Sequence, residues 1–150
     1  MTTYVQNASG EQLLLQIGNG GSPEVFTASA TINTSRSFSQ SAKTSTTELG
    51  DTITPSNPAA TARQVMSTDS KFDGKGVCDA PSYLVLMQWL KGGLPKNCKI
   101  VLNRTGAAGG FTVTGPYVIT SLSLDGNARE SLNFSASFEQ ANDITITANA

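Results

Sequence analysis

The chain has 150 residues, a length typical of one domain. Its ten lysines and arginines nearly balance its eleven aspartates and glutamates, and only 14% of its residues are charged, against about 25% in an average soluble domain. This balance excludes a strongly basic nucleic-acid binder and an acidic tail. Serine and threonine supply most of the polarity, which suits either subunit contacts and sheet edges or the surface of an ordinary secreted β-domain.

The N-terminal sequence MTTYVQNASGEQLLLQIG lacks a basic region followed by a long apolar stretch, so it does not resemble a signal peptide. No apolar run approaches the about 18 residues of a membrane-spanning helix. We therefore expect a chain that stays in the cytoplasm until lysis and does not contact membranes. In that reducing compartment Cys78 and Cys98 are expected to be free thiols, with a disulfide between them as the alternative.

The first elements are predicted as two short strands, over residues 12–18 and 24–30, joined by the turn cluster GNGGSP into a hairpin. Residues 31–39 then alternate like a strand, although they contain few large apolar side chains. One side of this strand carries Ile32, Thr34, Arg36 and Phe38, and the other carries Asn33, Ser35, Ser37 and Ser39. The sequence thus predicts a strand with one face of small hydroxyl groups.

Residues 40–60, QSAKTSTTELGDTITPSNPAA, are long for a connection in a compact domain. Pro55 and Pro58 disfavour a central strand here. We predict an extended loop or an open hairpin that projects, at about residues 41–60, from a single domain spanning 1–150.

A strand over residues 61–70 and a turn at Asp73-Gly74 are predicted before the only helix. Asp79 can cap this helix, and Gly92-Gly93 can end it. Its apolar residues recur at a spacing of three and are expected to face the sheet as core rather than as a ligand site. They are Tyr83, Leu84, Leu86, Met87, Trp89 and Leu90.

The C-terminal third is predicted to be all β, with strands over residues 99–103, 111–114, 117–124 and 131–139 and a short last strand at residues 144–146. Gly115-Pro116 is expected to break or bulge the path, and residues 125–127 to form a tight turn. The apolar residues change parity between Ile119 and Leu122, which predicts a β-bulge.

Strand 131–139 alternates cleanly between two faces. Leu132, Phe134, Ala136 and Phe138 are expected to face the core, and Ser131, Asn133, Ser135, Ser137 and Glu139 to face away. The elements together predict a mainly β fold, a β-sandwich or β-barrel with one flanking α-helix.

Residues that could carry catalysis are scarce. The chain has no histidine, which excludes histidine-based triads and histidine metal sites. Two isolated cysteines cannot hold zinc alone, and GNGGSPE lacks the ending of a phosphate-binding loop. Asp69 and Asp73 lie beside Lys71 and Lys75, as in a solvated charge cluster rather than a catalytic pair. We therefore predict that the chain is not an enzyme and needs no cofactor or metal.

The basic residues are scattered rather than clustered into a nucleic-acid-binding stripe. Phosphate contacts dominate affinity for DNA, so a conduit for DNA should avoid lysine and arginine on its inner wall. The outward row of strand 131–139 and the neighbouring Ser121 and Ser123 carry neither. The predicted lumen-facing residues are Ser35, Ser37, Ser39, Ser121, Ser123, Ser131, Asn133, Ser135, Ser137 and Glu139.

Four stretches of the chain resemble the major tail (tail tube) proteins of long-tailed bacteriophages and gene transfer agents. They are QLLLQIGNGGSPEVFTASATINTSRSFSQ, KTSTTELGDT, KFDGKGVCDAPSYLVLMQWLKGG and YVITSLSLDGNARESLNFSASFEQANDITI. That family commonly has glycine before its last strand, where this chain has Asn142-Asp143. Because Asn and Asp tolerate left-handed turns, this departure is mild.

The resemblance implies a virion protein that polymerises into the hollow phage tail tube, assembled in the host cytoplasm. It implies hexameric rings with a continuous inner β-barrel, tape-measure protein inside, tail terminator and tail tip proteins at the ends, and transient, non-specific passage of DNA. The projecting loop would then contact a neighbouring subunit or ring. Its predicted contact residues are Lys43, Thr44, Thr46, Thr47, Glu48, Asp51, Thr52 and Asn57.

Two other functions stay open at the level of sequence. The inner tube of a type VI secretion or contractile injection system has a similar fold. A monomeric ligand-binding β-sandwich, such as a carbohydrate-binding module, is the alternative from another class. Such modules usually expose several aromatic side chains on one face, whereas the single tryptophan here, Trp89, lies in the helical stripe.

Overall fold

The computed structural model describes residues 4–29 and 31–150. Within them the chain forms eight strands and one α-helix, and no helix is long and apolar enough to cross a membrane. The elements are β1 (Leu13–Gly18), β2 (Phe26–Ala28), β3 (Ser35–Leu49), β4 (Ala60–Val77), α1 (Ala80–Gly92), β5 (Lys96–Leu102), β6 (Phe111–Asp125), β7 (Asn133–Gln140) and β8 (Thr145–Ala148). The predicted mainly β class with one helix is confirmed.

All eight strands belong to one antiparallel sheet, in the order β2-β1-β5-β6-β7-β4-β3, with β8 paired to β6. β8 and β7 share one edge of β6, because β8 pairs with residues 111–114 and β7 with residues 117–125. The predicted hairpin of the first two strands is confirmed by the pairing of β1 with β2. Residue 30, the predicted end of the second strand, lies outside the described residues.

The chain divides into two compact units. We call the described residues of 4–38 and 71–150 the body, and residues 39–70 the hairpin unit. Of the two forms predicted for residues 40–60, the structure has the hairpin: β3 continues through residue 49, β4 begins at residue 60, and the two strands are neighbours in the sheet. The strand predicted to end at residue 39 is therefore too short. The assignment of the whole chain to one domain stays a prediction.

The core of the body is centred on Phe138, which is fully buried in the sheet. Its ring lies 6.4 Å from that of Phe72 and 5.9 Å from that of Trp89, measured between centroids, and Tyr83 packs edge-on against Phe134 at 5.6 Å. The contacts of Trp89 and Tyr83 attach α1 to the sheet. The other large buried side chains are Leu15, Ile32, Leu86, Ile100, Val113, Tyr117 and Ile119.

Helix α1 begins and ends where the sequence predicts. The Asp79 side chain accepts a hydrogen bond from the backbone N–H of Ser82, and Gly93 ends the helix at φ 70°. The predicted apolar stripe is only half correct. Leu86 and Trp89 are buried, whereas Leu84, Met87 and Leu90 are exposed. Successive residues differ by about 100° around a helix. Met87 and Leu90, each one position after a buried residue, therefore point away from the sheet.

Strand β6 confirms the predicted β-bulge, since its register with β7 shifts between Ile119 and Ser121. The strand passes through Gly115-Pro116 without a break. The tight turn predicted at residues 125–127 is wrong, because the connection between β6 and β7 spans residues 126–132. It is stabilised by contacts of Asn127 with Glu130. Leu132, expected in the core, lies in this connection and is exposed.

The turn predicted at Asp73-Gly74 is also wrong, since both residues lie inside β4. A Cβ atom on Gly74 would come within 2.7–2.8 Å of three Ile32 side-chain atoms, so the glycine leaves room for this buried isoleucine. Two residues next to Ile32 also bind β4. The backbone N–H of Thr34 donates to Lys75 O, and the Asn33 side chain exchanges two hydrogen bonds with the backbone of Val77. The glycine here serves close packing rather than a turn.

Replacing Gly74 with alanine should lower the free energy of unfolding by about 1–3 kcal/mol, because the added methyl group would overlap the buried Ile32 side chain. Gly50→Ala is the matched control, since nothing lies within 4 Å of its added methyl group. Chemical denaturation of both variants measures the difference. Equal stability of the two variants would contradict the close packing at Gly74.

Candidate functional site: a serine-lined face of the sheet

The structure brings five of the predicted lumen-facing residues together around one shallow concavity of about 390 Å³. They are Ser35, Ser37, Ser121, Ser135 and Ser137. Strand alternation explains this arrangement, because the core takes the intervening residues of β7 and leaves its serines on the opposite side. Ser121 pairs with Ser137 and Ser123 with Ser135 across β6 and β7, and the last two hydroxyls are hydrogen-bonded. We call these six serines the serine face.

Strand β4 adds charged residues to this face that sequence reasoning missed. Asp73 and Lys75 line the same concavity, opposite Ser137 and Ser135. The Ser137 hydroxyl donates to Asp73 Oδ1 at 2.5 Å, and Lys71 Nζ lies 3.8 Å from the same oxygen. Asp69, Lys71, Asp73 and Lys75 stand at alternate positions, which indicates one side of a strand. The turn predicted at Asp73-Gly74 is incompatible with that interpretation.

The charges beside the serine face nearly cancel. Lys71 pairs across the strands with Glu139, and Asp73 lies between Lys71 and Lys75 on the same side of β4. The Lys71–Asp73 pair is about 40% exposed, so it contributes little stability. Two lysines are thus matched by two carboxylates, and the face offers polarity without a net positive charge.

The other four predicted lumen-facing residues are placed differently. Asn133 and Glu139 lie at opposite ends of β7, paired with Asp125 and Lys71 respectively. Ser131 lies in the connection before β7, and Ser39 belongs to the hairpin unit. That any of the ten residues faces a lumen stays a prediction.

The hairpin unit holds all the predicted contact residues. Lys43, Thr44, Thr46, Thr47 and Glu48 lie in β3, and Asp51, Thr52 and Asn57 lie in the connection between the strands. Every residue from 39 to 69 is exposed, including the apolar side chains of Leu49, Ile53, Val65 and Met66. These long strands therefore lack the covering layer that usually stabilises a sheet. A two-stranded hairpin without such a layer is marginally stable in water.

The connection of the hairpin unit is organised by one carboxylate. Asp51 Oδ1 accepts hydrogen bonds from the backbone N–H groups of Ile53 at 2.9 Å and Thr54 at 3.0 Å, and its Oδ2 accepts from Asn57 Nδ2 at 3.0 Å. The Thr54 bond, followed by those of Ile53 and Asn57, lowers the pKa of Asp51. The turn is therefore preformed rather than an unstructured loop.

Both cysteines are free thiols, as expected, and the alternative disulfide is absent. Burial raises the pKa of Cys98 to about 12, so this thiol stays protonated and unreactive. Across residues 4–29 and 31–150, no three acidic or cysteine side chains cluster as metal ligands would.

A family model described as phage tail tube protein matches residues 7–145. The chain belongs to the phage tail tube protein family. It is accordingly a structural protein of the tail tube, a component of the virion tail, and the resemblance stated from sequence is confirmed. No curated protein sequence matches the chain.

Solved structures agree with this assignment at the level of the fold. The tail of an empty gene transfer agent particle, solved with C6 symmetry, is 20% identical with a TM-score of 0.71, over 95% of this chain and 100% of that one. The virion of a native gene transfer agent particle is 18% identical with a TM-score of 0.68, over the same shares. The SPP1 tail tube is 10% identical with a TM-score of 0.62, over 95% of this chain and 80% of that one.

Acidification should disorder the turn at Asp51 selectively. Its lowered pKa means that the carboxylate stabilises the turn above the ordinary aspartate pKa, and that this stability is lost as pH falls through the lowered value. In nuclear magnetic resonance spectra, the amide protons of Ile53 and Thr54 should shift with a midpoint below that of an ordinary aspartate. Asp51→Asn should remove the transition, and a midpoint at the ordinary value would contradict the bonded carboxylate.

Proposed function

We propose that this chain polymerises into a hollow tail tube built of stacked hexameric rings, through which DNA passes. The observation that carries the proposal is the hairpin unit, two long strands in which no residue from 39 to 69 is buried. Such strands gain a stabilising cover only when another molecule packs on them. The C6 symmetry of the gene transfer agent tail, which shares this fold, supports six copies per ring.

The ends of the sheet support joining between subunits. β2 and β3 are the terminal strands of the strand order, and β3 has 15 residues. A long terminal strand offers a row of unpaired backbone groups that invites another strand. In a ring each copy presents one edge to the next, and such head-to-tail contacts close when the rotation allows. We propose that the continuous inner barrel forms in this way.

We propose that the serine face lines the bore of this tube. Each positive charge on an inner wall would bind phosphate and slow the passage of DNA. The serines are neutral, and Asp73 and Glu139 compensate Lys71 and Lys75. This wall can stay hydrated without holding DNA.

The remaining parts of the function follow from the family and from the resemblance. The proposed partners are further copies of the chain, a tape-measure protein in the bore, and tail terminator and tail tip proteins at the ends. Assembly takes place in the host cytoplasm, and the chain has no catalytic role. The family assignment favours this function over the inner tube of an injection system and over a monomeric carbohydrate-binding module.

Purified protein at high concentration should form tubes of uniform width with a central channel in negative-stain electron microscopy. We expect assembly because the side chains of residues 39–69 in the hairpin unit are exposed in a single copy and can be buried only by contact with another molecule. Size-exclusion chromatography over a concentration series provides the control for unassembled protein. A monomer that stays monodisperse at every concentration would overturn the proposed function.

Removing residues 43–57 and rejoining the strands with a short turn should leave a folded monomer or ring that does not stack. The core lies in the body, so circular dichroism and thermal unfolding should remain close to those of the full chain. Electron microscopy then checks for tubes. Normal tubes from the shortened chain would show that the hairpin unit has no part in stacking.

Adding positive charge to the serine face should make tubes retain DNA. Ser121→Arg combined with Ser135→Arg places two guanidinium groups on the proposed inner wall, and binding should weaken steeply with salt. Ala107→Arg, at an exposed position outside this face, is the single-charge control. Co-sedimentation of tubes with short double-stranded DNA measures the effect. Equal retention by the two variants would place the serine face outside the bore.

A further inference from the structure

Within the body, α1 and the β1–β2 hairpin leave an open groove of about 360 Å³. We call it the helix groove; its apolar lining includes Ile17, Val85, Leu86 and Trp89. Leu86 and Trp89 are buried beneath it, but Val85 is 53% exposed. Polar residues such as Thr27, Ser29 and Ser82 line the rest of it, so the groove is an amphipathic concavity with one exposed large apolar residue, Val85.

One cation lies at the rim of the helix groove. Lys96 contributes to its lining, and its Nζ lies 5.4 Å from the centroid of the Trp89 ring. This contact holds the ammonium group beside the apolar floor. Glu24 of the same chain lines the adjoining concavity together with Lys96. No salt bridge joins Glu24 and Lys96 among the described residues, so the groove can take an aliphatic side chain accompanied by a carboxylate.

The hairpin unit carries a side chain of this kind. Ile53 is 91% exposed, although it lies in a turn that the Asp51 carboxylate holds in a defined conformation. The charged residues closest to it in sequence are both acidic, Asp51 and Glu48. Because the turn is already ordered, burying Ile53 against a partner carries little additional entropic cost.

We propose that Ile53 of one copy inserts into the helix groove of a second copy, with the acidic residues beside it facing Lys96. Three observations support this contact: an exposed aliphatic side chain meets a partly apolar concavity of sufficient volume, negative charge meets positive charge, and the turn that carries the side chain is preformed. The inference rests on the proposed self-assembly and adds a specific contact to it.

Cysteine cross-linking tests the contact directly. Ile53→Cys combined with Val85→Cys, in a Cys78→Ala background, should give disulfide-linked multimers on oxidation of assembled protein, while the buried Cys98 stays unreactive. Ile53→Cys combined with Ile146→Cys is the matched control, because Ile146 is also exposed but does not line the groove. Non-reducing electrophoresis measures the multimers.

A second measurement uses charge in place of cross-linking. Ile53→Asp should raise the protein concentration needed for tube formation at least about tenfold, which is the effect of leaving one aliphatic side chain unburied. Val85→Asp should do the same, and Ile146→Asp should have little effect. Thermal unfolding of each monomer checks that the fold is retained.

The outcomes separate this inference from the proposed function. Cross-linking no stronger than in the control overturns the groove contact, even if Ile53→Asp weakens assembly. Tubes that form normally from Ile53→Asp overturn it as well, and in both cases the proposed tube stands. A wild-type chain that never assembles overturns the proposed function and this contact together.

Discussion

The packing of α1 against the sheet through Trp89 and Phe138 is the interaction on which the body depends. It supplies the second layer that a sheet with one apolar face requires. The same core also contains Phe72 of β4, Leu86 of α1 and Tyr117 of β6. These contacts bury one side of the central strands and leave the other side to serines, so the serine face is a direct result of how the core is covered.

The same interaction explains the contrast between the two halves of β4. From Ser70 onward its alternate residues are buried, whereas residues 60–69 are all exposed. The extended strand conformation continues along the whole of β4, but burial does not. The chain thus combines a body stabilised by its own core with a long hairpin that has regular strands and no core.

Much of this fold could be predicted from the sequence, for reasons visible in particular residues. Asp79 and Gly93 mark the two ends of α1. The alternation in β7 distinguishes its buried side from its polar side. The bulge in β6 followed from the parity of its apolar residues. Five of the serines predicted to face a lumen lie around one concavity, because strand alternation fixes the side on which each residue lies. That they face a lumen stays a prediction.

The errors arose where tertiary contacts decide a local choice. Asp-Gly favours a turn in isolation, but Gly74 is required inside β4 because Ile32 packs directly against it. Consequently Lys71 and Lys75 were not recognised as neighbours of the serines. The length of β3 was also underestimated, since strands composed of serine and threonine without a buried side show no apolar alternation.

The complete exposure of residues 39–69 has a consequence for how the sequence can change over time. Substitutions there remove no buried contact within a single copy, so the stability of the monomer places little constraint on them. Any selection on this segment would act through whatever surface it meets in another molecule. In separate lineages, residues 39–69 and the surface that they contact on another copy could therefore change together. Proteins from two such lineages would keep the same fold but would no longer assemble with each other.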